Sequence, residues 1–180
     1  DLQFALQMYE SAVALDPDFA LAHAGIAHVC TQVYYFFERD QKWIDRAIAA
    51  TQKAGAKGND APEVRMSGAW VDFVEKKYTE AIDKMRAALE NNPDLEGGYY
   101  LLGRALFEAG RYQDIVDMTE EALANAGENY NTTIPIHNAL GALGKTEALK
   151  NFVHREIAIF EEHLQKVPED ARARVLLAHK

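Results

Sequence analysis

The sequence predicts an all-α fold of antiparallel helical hairpins stacked against one another. Three observations carry the prediction. Between Tyr99 and Leu123, two amphipathic runs flank Gly110 and Arg111. Tyr99, Leu102, Gly103, Leu106 and Phe107 recur at three- or four-residue steps and share one helical face; Tyr112, Ile115, Val116, Thr119, Ala122 and Leu123 mostly do the same. The pattern then repeats. Ala81, Ala88 and Pro93 stand at the same mutual offsets as Ala5, Ala12 and Pro17, and as Ile115, Ala122 and Gly127, and Pro93 and Gly127 lie 34 residues apart. A period of this length marks a helical solenoid. Composition agrees: 180 residues, 48% hydrophobic with 5 prolines, can bury a sizeable helical core.

The repeat is stretched in two places. Pro17 and Pro93 are 76 residues apart, two periods plus eight, and Gly127 and Pro168 are 41 apart, one period plus seven. Seven or eight residues make about two helical turns. Insertions near Tyr34–Asp45 and Lys145–Ile157 can therefore lengthen a hairpin without turning its buried face away.

Taken in order, Leu2 to Leu15 reads as one helix with Leu2, Ala5, Leu6, Tyr9, Ala12 and Val13 on a stripe. Asp16-Pro17-Asp18 ends it and offers an acidic start to the next. Phe19 to about Phe37 follows, finishing in the aromatic run Tyr34–Phe37, which goes round the helix and covers the tip of an extended hairpin. Trp43, Ile44, Ala47, Ile48 and Thr51 belong to its partner, and Ala54–Asp60 is a turn with two glycines. Pro62, tolerated in a first turn, opens a helix to about Lys76, and Tyr78–Glu90 is its partner. The Tyr99 hairpin comes next, with Gly110 suited to a left-handed helix end. Asn131–Leu143 is a weaker helix, delayed by Thr132, Thr133 and Pro135 and diluted by Gly141. Lys145 to Lys166 is long, and Ala171–Lys180 resembles the opening of another unit. Both ends cut the repeat rhythm, so the chain reads as a section of a longer protein: one domain, 1–180, with units near 1–18, 19–60, 61–94, 95–129, 130–169 and 170–180.

Charge and motifs narrow the function. A formal net charge of −9 opposes non-specific binding to nucleic acid or to anionic membranes. There is no signal peptide at Asp1–Phe4 and no apolar span, so the expected setting is the cytoplasm. The lone Cys30 cannot form an internal disulfide and reads as a buried small hydrophobe. Asn131-Thr132-Thr133 is a sequon by chance. Six histidines form neither His-Glu-x-x-His nor a repeated Glu-x-x-His set, and they read as solvent-facing or capping residues; no metal or other cofactor is expected. No phosphate loop, dinucleotide fingerprint or nucleophile elbow is present, and the chain reads as a non-enzyme.

Over nearly its whole length the chain resembles the tetratricopeptide repeat family. Tyr99, Leu102, Gly103, Gly110, Tyr112 and Ala122 follow that family's bulky–Leu–Gly…Gly–x–Tyr…Ala pattern, and the preceding unit keeps Ala69, Tyr78, Ala81, Ala88 and Pro93. Ile115 departs from the usual small residue, and Glu156 and His163 stand at core offsets counted back from Pro168. The resemblance implies a right-handed superhelix whose first helices bind a peptide or protein segment. Its contact positions fall on Leu21, Ala24, His28 and Thr31; on Glu63, Met66, Trp70, Phe73 and Val74; on Gly97, Tyr100, Arg104, Phe107 and Glu108; and on Ile134 and Asn138. The candidate binding set is therefore His28, Met66, Trp70, Phe73, Tyr100, Arg104, Phe107 and Asn138, although Trp70 and Phe107 could equally pack between hairpins. Family members that grip a terminal carboxylate carry Lys and Asn where this chain has Ala24-Gly25, Met66-Ser67 and Tyr100-Leu101, so that clamp is not expected. The stretches 14–27 and 166–178 also resemble repeats in large bacterial signalling proteins, such as serine/threonine kinases and adenylate cyclases. The alternative expectation is thus a regulatory or self-associating section of such an enzyme, using Leu2–Leu15, Ala171–Lys180 or the aromatic tip.

Overall fold

The computed structural model describes residues 2–56 and 59–180, and among these it holds eleven α-helices and no strand. Asp1, Lys57 and Gly58 lie outside the described residues, so the expected turn at 54–60 is seen only at its ends. The chain packs as two compact units, Asp1–Leu95 and Glu96–Lys180.

The first unit contains α1 (Leu2–Leu15), α2 (Ala20–Phe36), α3 (Gln41–Ala54), α4 (Pro62–Val74) and α5 (Tyr78–Asn91). Helices α2 and α3 form one hairpin and α4 and α5 another; α4 packs on both α2 and α3, and α1 packs on α2 as the second helix of a repeat does. Pro62 occupies the first turn of α4, and Asp40 caps α3 by accepting from Lys42 N at 3.0 Å. Asp16 does not start α2. Its Oδ1 accepts from Asp18 N at 3.1 Å and so shapes the turn, and the residue before α2 is Phe19, with no side-chain cap. The first insertion gives α2 17 residues against 13 in α4, about one extra turn. The core joins Leu6, Ile26, Ala27, Val29, Cys30, Ala47, Ala50 and Val71. Gly25 is the close point between α1 and α2: a Cβ there would lie 2.5 Å from the Tyr9 ring.

The second unit contains α6 (Gly98–Glu108), α7 (Tyr112–Asp117), α8 (Thr119–Asn125), a 3₁₀ turn (Tyr130–Thr132), α9 (Thr133–Ala142), α10 (Thr146–Lys166) and α11 (Ala171–Ala178). The run expected as one helix from Tyr112 breaks at Met118. Thr119 Oγ1 donates to Ile115 O at 3.2 Å, a back-bond that competes with the backbone ladder and bends helices. Asn129 accepts from Asn131 N at 3.1 Å and holds the 3₁₀ turn that delays α9. The second insertion goes wholly into α10, which runs 21 residues against 14 in α5. Three first-to-second-helix turns close alike. Lys76, Gly110 and Gly144 all have φ near +65 to +75° (64, 73 and 65°), and the following N–H reaches back five residues: Lys77 to Asp72 O, Arg111 to Leu106 O and Lys145 to Leu140 O. Lys76 holds without glycine a conformation that costs an L-residue about 1 kcal/mol.

The two departures at the second-helix core positions of α10 face inward and find partners. Glu156 is fully buried; its Oε1 accepts from Lys180 Nζ at 2.7 Å and its Oε2 lies 2.6 Å from His137 Nδ1. His163 Nε2 lies 2.9 Å from Asp170 Oδ2, which also accepts from Tyr130 OH at 3.1 Å, while Asp170 Oδ1 caps α11 through Ala173 N at 2.9 Å. These bonds, led by the one from Ala173, hold the Asp170 carboxyl below its usual range.

Two expectations follow. A Cβ at Gly103 on α6 would sit 2.6 and 2.8 Å from the rigid Pro135 ring of α9, whereas one at Gly68 meets nothing nearer than 3.6 Å. Gly103→Ala should cost about 1–2 kcal/mol net, since overpacking outweighs the gain of about 1 kcal/mol in helix propensity, while Gly68→Ala should gain up to about 1 kcal/mol. Urea unfolding midpoints of the two variants will move in opposite directions. Lys180→Met should destabilise the chain by about 2 kcal/mol, because Glu156 keeps only His137, and adding Glu156→Leu should restore most of that loss; the same unfolding measurement reads both.

Candidate interaction surface

In the first unit the structure brings three of the expected contact residues together. His28 of α2 meets Trp70 of α4 edge-on, with ring centroids 5.8 Å apart and planes at 75°. Trp70 in turn packs against Phe73 at 5.7 Å, and Tyr35 of α2 joins both, at 6.5 and 5.3 Å. Trp70 and Phe73 are each only 3% exposed, so their rings form the base of this surface. Met66 and Val74 beside them are half-buried, Leu21 and Glu63 are exposed, and Ala24 and Thr31 are buried. Tyr35 was grouped with the hairpin tip by sequence; its helical steps of four residues from Thr31 and seven from His28 would have placed it on this face. At the tip itself, Arg39 lies 5.3 and 5.1 Å from the Tyr34 and Tyr35 rings, and Phe36 and Phe37 are exposed.

In the second unit Tyr100 of α6 is buried. Arg104 is half-buried, with a guanidinium nitrogen 3.6 Å from Glu108 Oε1, one turn on. Phe107 is half-buried, its ring 4.9 Å from that of Tyr112 at the start of α7. On α9, Ile134 is half-buried and Asn138 is exposed. Gly97 sits at the N-terminus of α6 with φ 75°, so it contributes backbone and no side chain.

The histidines depart from expectation. His23 is buried, its Nε2 2.8 Å from Pro17 O, and His137 and His163 join the polar clusters of the second unit; His154 and His179 are the exposed ones. The imidazoles of His23, His137 and His163 are set by partners that repeat offsets do not reveal. Burial pushes the Cys30 thiol up to about 11, so it is a packing group rather than a nucleophile. Burial and the hydrogen bond to Glu121 push Tyr99 up to about 12. Among the described residues no three His, Cys, Asp or Glu side chains are placed to hold a metal ion, and no helix is long and apolar enough to cross a membrane.

No family model and no curated protein matches the sequence. Among solved structures the chain is similar to the crystal structure of MamA, at 17% identity and a TM-score of 0.57, over 96% of this chain and 92% of that one. At this identity the likeness speaks to fold: MamA is a tetratricopeptide-repeat helical solenoid, and the stacked hairpins described above are of the same kind.

Proposed function

We propose that this chain is a non-catalytic interaction module that holds a peptide or protein segment against the first helices of its hairpins. One observation carries the reading. At the repeat's contact positions, aromatic rings are sunk in the helical layer (Trp70 and Phe73 on α4, Tyr100 on α6), while half-buried or exposed side chains stand beside them: Met66 and Val74 in one unit, Arg104, Phe107 and Asn138 in the other. In each unit a fixed base with side chains standing beside it gains contact at small entropic cost. An extended segment or an amphipathic helix suits such a surface. A cytoplasmic setting belongs to this proposal, and Cys30, a buried free thiol that needs no oxidising compartment, is compatible with it.

A second reading, a self-associating section of a larger bacterial signalling enzyme, is favoured by α1. Phe4, Met8 and Leu15 stand on one face of that helix and are 62%, 54% and 89% exposed. An apolar stripe of this kind is what association covers.

Peptides selected by display against the whole chain test the first reading. Met66→Ala and Arg104→Ala remove tips without disturbing the buried base. Each should weaken the peptides selected on its own unit about tenfold, about 1.4 kcal/mol, with the unfolding midpoint and solution mass unchanged. Peptides that bind the double variant as tightly as the parent would rule this surface out. Light scattering over a concentration series tests the second reading: a dimer dissolved by Phe4→Asp supports it, and a mass near 20.1 kDa throughout removes it.

A further inference from the structure

His28 is half-buried as a residue, but its Nδ1 is shut off from solvent, as is Nδ1 of His163 in the second unit. The His28 nitrogen has no hydrogen-bond partner among the described residues, and the ring edge faces Trp70 within the α2–α4 aromatic cluster. A neutral imidazole fits there as one more ring. An imidazolium does not: protonation puts an N–H and a positive charge on a nitrogen that has neither solvent nor an acceptor beside it.

The charged groups on the neighbouring elements are engaged elsewhere or in solvent. Glu10 of α1 pairs with Arg46 of α3; Lys42 pairs with Glu38 and Asp40; Asp45 accepts from Gln41. On α4, Arg65 pairs with Asp60 and Asp72 with Lys84 of α5 at 2.5 Å, while Glu63 and, on α3, Lys53 are exposed. Within α2, His23 is bonded to Pro17 O. None of these supplies an anion to an imidazolium at 28.

We propose that protonation of His28 opens the seam between α2 and α4, so that the first unit loosens in acid. The inference does not depend on what the surface binds. Burial pushes the His28 imidazole down to about 4 in the closed seam, against its ordinary 6.5 when opened to water. The open form therefore takes up more protons between these values. Closure is undiminished above about 6.5 and weakens as pH falls towards 4, and at pH 5 the open-to-closed ratio is about twentyfold that at pH 7.

Cys30 reports the opening. It lies on α2 two residues beyond His28 and shares a core cluster with Val71 of α4. The rate at which 4,4′-dithiodipyridine labels Cys30 in the whole chain, divided by the rate for the urea-unfolded chain at the same pH, should rise about twentyfold from pH 7 to pH 5. Far-UV circular dichroism should stay constant over that range. His28→Gln should abolish most of the rise, since every other histidine is retained. An equal rise in variant and parent, or loss of helix across the whole chain, overturns the proposal. If His28→Gln fails to fold, an NMR titration of the parent decides: a His28 midpoint near 6.5 overturns it, and one far below supports it.

Discussion

Two helices can approach no closer than the side chains between them permit, and in this chain that limit is set by residues with almost no side chain. Gly25 lies beneath the Tyr9 ring and Gly103 beneath Pro135, while Ala27, Ala47, Ala81, Ala88, Ala105, Ala122 and Ala139 are wholly buried along the helices. Interaxial distance follows the bulk at the contact. With small residues at the close points, larger neighbours such as Ile82, Met85, Leu101 and Leu106 can reach full burial beside them. A gap of even half an ångström forfeits a large part of each dispersion contact. The rest of each unit, including the orientation of its first helices, depends on these few positions staying small.

Each unit also carries polar groups inside this tight frame, and the two treat them differently. In the second, Glu156 and His163 replace small residues on α10: Glu156 is bonded by His137 of α9 and Lys180 beyond α11, and His163 by Asp170, with the Tyr130 ring against it and its Nδ1 without a partner. Burying such groups is costly, and the cost is offset only in the one seating where all partners coincide. That fixes α11 against α10 more narrowly than the apolar contacts of Phe160, Ala173 and Leu176 could alone. In the first unit His28 has ring neighbours and an unpartnered Nδ1, so its neutrality, rather than a pairing, keeps the seam closed.

The helices were legible because apolar period, prolines and glycines agree over long stretches. Leu2–Leu15 and Pro62 as the start of α4 coincide with the structure. What was not legible depends on contacts distant in sequence or on a single hydroxyl. The break at Met118 comes from Thr119 bonding back to Ile115 O, which no periodicity records. The role of Gly25 needs Tyr9, on another helix, to be seen. The repeat register names contact positions by counting, yet it cannot say whether a large ring stands above the helical layer or sinks into it. Trp70 and Phe73 sink because Tyr35 and His28 lie opposite them.

That sinking bears on where specificity can reside. Trp70, Arg104 and Asn138 stand 34 residues apart in sequence, at the same place in successive repeats, yet they differ in chemistry and in depth. A buried Trp cannot be exchanged without disturbing its seam, because its neighbours are packed to its shape. An exposed Asn or a half-buried Arg can be exchanged with little effect on the fold. The seam therefore constrains the first kind of position for stability and leaves the second kind to whatever the surface recognises. On the proposed reading, the chemistry of the partner is written in Met66, Val74, Arg104, Phe107 and Asn138, and the buried aromatics serve by holding those side chains in place.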